Sequence, residues 1–353
     1  MAKEIDIKNR IISTNNTPYI IAEMSANHKG SLKLATDTIR AAKEVGADAV
    51  KIQTYTPDTM TIDSDKSDFY ISEGLWRGRT LYQLYKEAYT PFEWHEELFE
   101  VADKVGLTIF SSPFDETAVD LLEKLGAPAY KIASFELVDI PLIKYVAKQG
   151  KPMFLSTGMA NLTEIETAIQ AANIAGCKEI ILFHCISGYP TPIDKANLRS
   201  IEVLKRRFDV QIGLSDHTLG ITAGVVATTL GASVIEKHFT MSRSNGSVDS
   251  QFSLEPKEME MFIKSCREAF QSLGNHRFER SEIEEQNKAF RRSLYFVKDL
   301  KKGQTIDPEH VSRIRPGYGL GPIYLESVIG AKVVSDVFRG DRVELKLLEK
   351  KLP

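Results

Sequence analysis

The stretch YIIAEMSANHKGSLKLATDTIRAAKEVGADAVKIQT, residues 19–54, holds one complete strand–helix–strand unit. It opens on a β-branched apolar run, YIIAEM (19–24), and closes on a second, DAVKIQT (48–54). Between them SLKLATDTIRAAKEVG has apolar residues at helical spacing and ends on a glycine, a common helix stop. Two strands joined through a helix lie parallel, with a right-handed crossover.

The unit recurs. Further strand candidates are LTIFSS (107–112), AYKIAS (129–134), MFLST (153–157), EIILFHC (179–185), VQIGLS (210–215) and ASVIEKHF (232–239). Helical stretches such as TEIETAIQAANIAG separate them. Eight such units predict a closed (β/α)8 TIM barrel, a fold of about 250 residues. A doubly wound open sheet competes, but the units are similar in length and no GxGxxG opens the first helix. One loop, from Tyr55 to about Tyr89, is long enough to predict a functional role. After about residue 281 the texture shifts to short strands, turns and basic residues. This predicts a barrel over 1–281, a linker, EIEEQNKAF, over 282–290, and a small β-rich domain over 291–353.

Composition removes several function classes. The net charge of -3 gives no bulk basic field for nucleic acid or an anionic membrane. The three cysteines form no CxxC pair, which argues against a disulfide framework or zinc knuckle and for a reducing cytoplasm. MAKEIDIKNR has charges without the apolar run of a signal peptide, and no apolar run approaches the ~18 residues of a membrane span.

Polar residues recur at the C-terminal ends of the strands, the active-site face of such barrels. They are Glu23; Lys51 and Gln53; Ser111 and Ser112; Lys131 and Ser134; Ser156 and Thr157; His184 and Ser187; Ser215, Asp216 and His217; and Glu236, Lys237 and His238. Two lysines among many hydroxyls form an anion site for phosphate or carboxylate. His217 and His238, on neighbouring strand ends, can share a divalent cation, with Mn²⁺ or Mg²⁺ favoured over Zn²⁺ by the oxygen-rich surroundings. The alternative is a pair of core histidines bonded to backbone. Lys51 or Lys131 also suits a Schiff-base aldolase, which needs one desolvated lysine and no metal.

Ten ordered segments, IAEMSANHKGS, VKIQTY, FSSPFD, YKIAS, LSTGM, HCISGYPTP, NLRSI, GLSDHT, EKHFT and SLEP, resemble the sialic acid synthase family. RPGYGLGP resembles the loop of that family's C-terminal antifreeze-like (SAF) domain. The resemblance implies condensation of phosphoenolpyruvate with an open-chain amino sugar to a nine-carbon 2-keto acid. It implies a divalent metal and a homodimer in which each C-terminal domain caps the partner's site. By it, Lys51, Ser112, Lys131, Ser134, Ser156, Tyr189 and Ser215 would hold phosphoenolpyruvate, as would Ser187, where an Asn is usual. His217 and His238 would hold the metal. Glu23, the candidate for handling protons, would contact the sugar with Gln53, Asp249 and the partner chain's Arg315.

Four features differ from the sialic acid branch: Met24-Ser25-Ala26, Ile186-Ser187, Val248-Asp249-Ser250 and the loop SEGLWRGRTLYQLY. They look like the pseudaminic acid branch, whose acceptor is a 2,4-diacetamido-2,4,6-trideoxy-L-altrose. Trp76, Tyr82 and Tyr85 of that loop are candidates to pack on the apolar groups of such a sugar. N-acetylmannosamine and the legionaminic acid precursor are the alternative acceptors.

Overall fold

A computed structural model describes residues 2–274 and 278–349. The chain divides into two compact units, residues 1–274 and 275–353.

In the first unit a short antiparallel hairpin, β1 (Ile5–Ile7) and β2 (Arg10–Ile12), precedes eight parallel strands. These are β3 (Tyr19–Glu23), β4 (Ala49–Thr54), β5 (Thr108–Pro113), β6 (Tyr130–Ile132), β7 (Met153–Ser156), β8 (Ile180–Cys185), β9 (Gln211–Asp216) and β10 (Val234–His238). They pair in chain order and close where β10 meets β3, with His238 opposite Glu23. All eight predicted strands are present, and the closed sheet excludes the open doubly wound alternative.

Strand alternation sorts the side chains. Tyr19, Ile21, Ala49, Phe110, Ala129, Phe154, Ile181, Phe183 and Val234 form a closed interior cluster. Phe110, Phe154 and Phe183 stack within it, with centroids 5.1 and 5.5 Å apart and planes within 14° and 11°. Ile5, Ile7 and Ile12 of the hairpin join this cluster, so β1 and β2 close the end of the barrel where the strands begin. The sequence reading missed this hairpin. Its strands are three residues each, and Lys8 and Asn9 make the left-handed turn without a glycine. The outward faces of the strands pack on the surrounding helices in a second, larger core.

Residues 55–89 are not an open loop. They carry two short helices, Pro57–Met60 and Leu81–Ala88, each opened by a threonine capping box, and a bridge between Tyr70 and Thr80.

The second unit has its own core around Leu294, Phe296, Val311, Val333 and Val343, with β11 (Ser293–Phe296) antiparallel to β12 (Val311–Ile314). Residues 282–290, read as a linker, form two helical turns, Glu282–Gln286 and Asn287–Phe290, with Ser281 capping the first. Among the described residues no helix is long and apolar enough to cross a membrane.

Gly213 of β9 faces the interior stack. A Cβ there would stand 2.6 Å from the Phe183 ring and from the Val234 carbonyl. Gly213→Ala should therefore cost about 1–3 kcal/mol of stability by overpacking. Chemical denaturation of the two proteins reads this directly, as a lower midpoint for the variant.

Candidate active site

Above the aromatic stack the interior becomes polar. Lys51 Nζ lies 2.8 Å from Glu23 Oε2 and 3.8 Å from Glu236 Oε2. Lys131 Nζ donates to Glu236 Oε1 and Oε2 at 3.0 and 3.2 Å. The same ammonium sits 4.8 Å above the Phe183 ring centroid. Four charges, all buried, thus meet where four different strands end.

Burial pushes each toward its neutral form, and the partners decide the outcome. Burial would raise Glu236, but Lys131, Lys51 and the Ser215 hydroxyl hold it down at about 2. Burial would lower Lys51, and Glu23 and Glu236 override it, so Lys51 stays charged. Lys131 remains depressed by burial despite Glu236. Glu23 stands above the usual carboxylate range, raised by burial against Lys51, with Glu236 adding to the rise.

Hydroxyls surround the lysines. Ser112 Oγ accepts from Lys51 at 3.2 Å, and Ser215 Oγ donates to Glu236 at 2.9 Å. Ser156 Oγ is buried and has no hydrogen-bond partner among the described residues, which marks a place for a ligand oxygen. Gly158 leaves the room: a Cβ there would collide with the Ser134 and Ser187 hydroxyls. These groups line one side of a cavity of about 380 Å³.

His217 and His238 stand with ring centroids 5.3 Å apart. His217 Nδ1 donates to the Ile186 carbonyl at 3.0 Å, leaving Nε2 as the lone-pair nitrogen. His238 Nδ1 is buried without a hydrogen-bond partner, 4.0 Å from Asp249 Oδ2. Burial, and then the neighbouring positive groups, hold His238 well below its ordinary value, so its ring is neutral. Burial would lower His217, but Cys185 and the Ile186 carbonyl hold it above its ordinary value. With His217 deprotonated, its Nε2 and the neutral His238 ring, beside carboxylates, suit a divalent cation completed by water and substrate oxygens. Among the described residues no cluster of three His, Cys, Asp or Glu forms a full protein cage.

The other side of the cavity is mostly apolar. Met60, Ile71, Trp76, Leu81, Leu84 and Tyr85 come from residues 55–89, and Phe114 and Phe135 from neighbouring loops. Trp76 Nε1 donates to the Val248 carbonyl at 3.3 Å, and its ring lies 5.7 Å from that of Tyr189. Tyr82 takes no part in this wall and bonds Asp58 instead, at 3.2 Å.

Of the predicted residues, Glu23, Lys51, Gln53, Ser112, Lys131, Ser134, Ser156, Tyr189, Ser215, His217, His238 and Asp249 all line the cavity. Ser187 is set back from it, behind Gly158. Arg315 lies exposed in the second unit. Ser111, His184, Asp216 and Lys237 face outward, because each is one residue out of step with an inward neighbour. Ser111 bonds Thr54, His184 bonds the Ala196 carbonyl, and Lys237 pairs with Asp216 at 2.8 Å. Sequence reasoning left Ser25, Glu136 and Cys185 out of the site and named Glu236 only among the polar strand ends, without a role; all four line the cavity. Glu236 had a legible signal: it sits two positions before His238, on the same strand face.

The model of the NeuB family matches residues 38–278, and that of the SAF domain matches residues 291–348. The chain belongs to the NeuB family. A pseudaminic acid synthase of Campylobacter jejuni is 44% identical over 332 residues, covering 94% of this chain and 97% of that one. An N,N'-diacetyllegionaminic acid synthase of Legionella pneumophila is 36% identical over 329 residues, covering 92% of each. Among solved structures, an N-acetylneuraminic acid synthetase of Leptospira borgpetersenii in complex with citrate superposes with a TM-score of 0.73 at 32% identity. It covers 81% of this chain and 95% of that one.

Two measurements probe this site. Gly158→Ala should lower the unfolding midpoint by overpacking and, in the protein that remains folded, weaken phosphoenolpyruvate binding by at least about tenfold, since the new methyl displaces two hydroxyls. Titration with phosphoenolpyruvate followed by tryptophan fluorescence checks it. Glu136, with Oε2 buried and unpartnered, is raised by burial from an ordinary 4.5 to about 7. The folded chain therefore holds this proton more tightly than the unfolded one, and stability falls as pH rises from 4.5 to 7. Glu136→Gln should unfold like the parent near pH 5. At pH 8 it should be the more stable protein, by up to roughly 3 kcal/mol.

Proposed function

We propose that this NeuB-family enzyme is a pseudaminic acid synthase. It condenses phosphoenolpyruvate with 2,4-diacetamido-2,4,6-trideoxy-L-altrose, giving pseudaminic acid and phosphate. The observation that carries the reading is the two-sided cavity. One side presents two lysines and a ring of serines, and the other an apolar wall built on Trp76, Ile71 and Tyr85. The first suits a small polyanion, and the second suits a sugar with a methyl group and two acetamido methyls. The 44% identity to the Campylobacter jejuni synthase supports the same acceptor.

In this reading Lys51, Lys131, Ser112, Ser134, Ser156 and Ser215 hold the phosphate and carboxylate of phosphoenolpyruvate, with Ser187 in support and Tyr189 beside them. Carbon 3 of the enol attacks the sugar aldehyde, and a C–C bond forms. Water adds to the cationic carbon 2, and phosphate leaves with its bridging oxygen by C–O cleavage. Glu23, raised in pKa and 2.8 Å from Lys51, gives a proton to the aldehyde oxygen or takes one from the attacking water. Gln53 and Asp249 orient the sugar. His217 and His238 hold Mn²⁺ or Mg²⁺, which when bound supplies Lewis-acid polarisation of the aldehyde. A Schiff-base aldolase is disfavoured because each lysine is engaged by a buried carboxylate rather than free as a neutral amine.

The active species in this proposal is a homodimer, with Arg315 closing the partner's site and excluding water from the cationic intermediate. The loop that carries Arg315 is held in a fixed shape. Ser293 Oγ donates to the Pro316 carbonyl at 2.7 Å and accepts from Gly319 N at 2.9 Å. The reaction would run in the cytoplasm, where phosphoenolpyruvate is made.

The test offers three acceptors separately with phosphoenolpyruvate and divalent metal: the diacetamido altrose, the diacetamido trideoxy mannose of legionaminic acid synthesis, and N-acetylmannosamine. Phosphate release only with the first is expected. Preferential turnover of either other sugar would reassign the acceptor, and no release with any would remove the synthase reading.

A further inference from the structure

Ser25 follows β3 and lies buried in the cavity wall with φ of 45°, in the left-handed region that side-chain-bearing residues rarely occupy. A non-glycine residue persists there when its surroundings fix it, and such positions gather at functional sites. The surroundings are specific. Ser25 Oγ donates to Asp249 Oδ2 at 2.5 Å and accepts from Gln53 Nε2 at 2.9 Å. Gln53 Nε2 donates its other hydrogen to Glu23 Oε1, at 3.0 Å.

The direction of every bond in this chain is determined. Gln53 Nε2 can only donate, so the serine oxygen receives from it and the serine proton points to Asp249 Oδ2. Both amide hydrogens of Gln53 are consumed, one by Glu23 and one by Ser25, so its Oε1 is the group left to offer a ligand. Asp249 is held in turn by its surroundings: Ser253 Oγ donates to its carbonyl at 2.7 Å, and Asn27 Nδ2 donates to Ser253 Oγ at 2.8 Å.

We propose that Ser25 is a positioning residue for the acceptor sugar, whose hydroxyl fixes Gln53 and Asp249 as paired hydrogen-bond acceptors for the amide N–H groups of a diacetamido sugar. Ser25 touches neither substrate and acts through its two partners. The inference rests on the synthase reading above. It goes further in assigning the polarity of the acceptor subsite: this face receives hydrogen bonds and does not donate them. A sugar carrying an ester or ether oxygen in place of an amide N–H is therefore rejected here.

Two variants separate this role from a structural one. Ser25→Gly removes the hydroxyl and suits the backbone conformation. Ser25→Ala removes the hydroxyl and retains the unfavourable φ. Both should lose about 10- to 100-fold in kcat/KM for the acceptor, with KM for phosphoenolpyruvate changed by no more than about twofold. Their thermal midpoints should diverge, Ser25→Gly at or above the parent and Ser25→Ala below it. Equal losses toward both substrates would overturn the proposal, as would undiminished acceptor kcat/KM in Ser25→Gly. If the parent enzyme turns over a different acceptor, the acceptor assignment fails, and the same comparison made on that sugar still decides the role of Ser25.

Discussion

Four buried charges at the centre of the barrel constrain nearly everything above them. Lys51 is matched by Glu23 and Lys131 by Glu236, so each cation of the cluster has a carboxyl partner within the barrel. Removing any one member would strand an opposite charge in the interior, a loss of several kcal/mol. The cluster tolerates its burial because strand ends, not loops, place each head group. The Phe110–Phe154–Phe183 stack forms its dry floor and keeps water from entering below. Electrostatic interactions in such a closed, water-poor setting are stronger than at a surface.

The site is therefore built from two materials. The anion side stands on rigid strands, where a displacement of an ångström is costly. The apolar side, proposed for the sugar, stands on residues 55–89, which form short capped helices and rest on the barrel through contacts such as that of Trp76 with Val248. A common donor with a fixed shape and an acceptor that varies within a family would favour this division. In the proposed reading, the strands carry the chemistry and residues 55–89 the selectivity.

The fold was legible because a βα unit has a distinctive period and all eight copies carry it. The site was legible in part, because polar residues at strand ends break the apolar rule for a barrel interior. Which of two adjacent polar residues faces inward was harder. Asp216 and His217 are neighbours in sequence, yet Asp216 pairs with Lys237 outside the barrel and His217 meets His238 within it. Parity within each strand answers this, and applying it would have selected Glu236 and set aside Ser111 and Lys237. Ser25, Glu136 and Cys185 lie beyond that rule. The first two follow the strands, where backbone direction is set by local turns, and Cys185 reads in sequence as an ordinary apolar strand residue. The hairpin at residues 5–12 was invisible because six paired residues are too few to show a period.

That hairpin also orders events during folding. Ile5, Ile7 and Ile12 share one cluster with Val234, although every other strand of the barrel lies between them in the chain. β3 likewise waits for β10, its neighbour in the closed sheet. Both closures join segments from opposite ends of the unit, so their loop-closure entropy is large and they are expected to form late. While a ribosome is still making the middle of the barrel, these isoleucines have no interior to enter and remain exposed apolar surface.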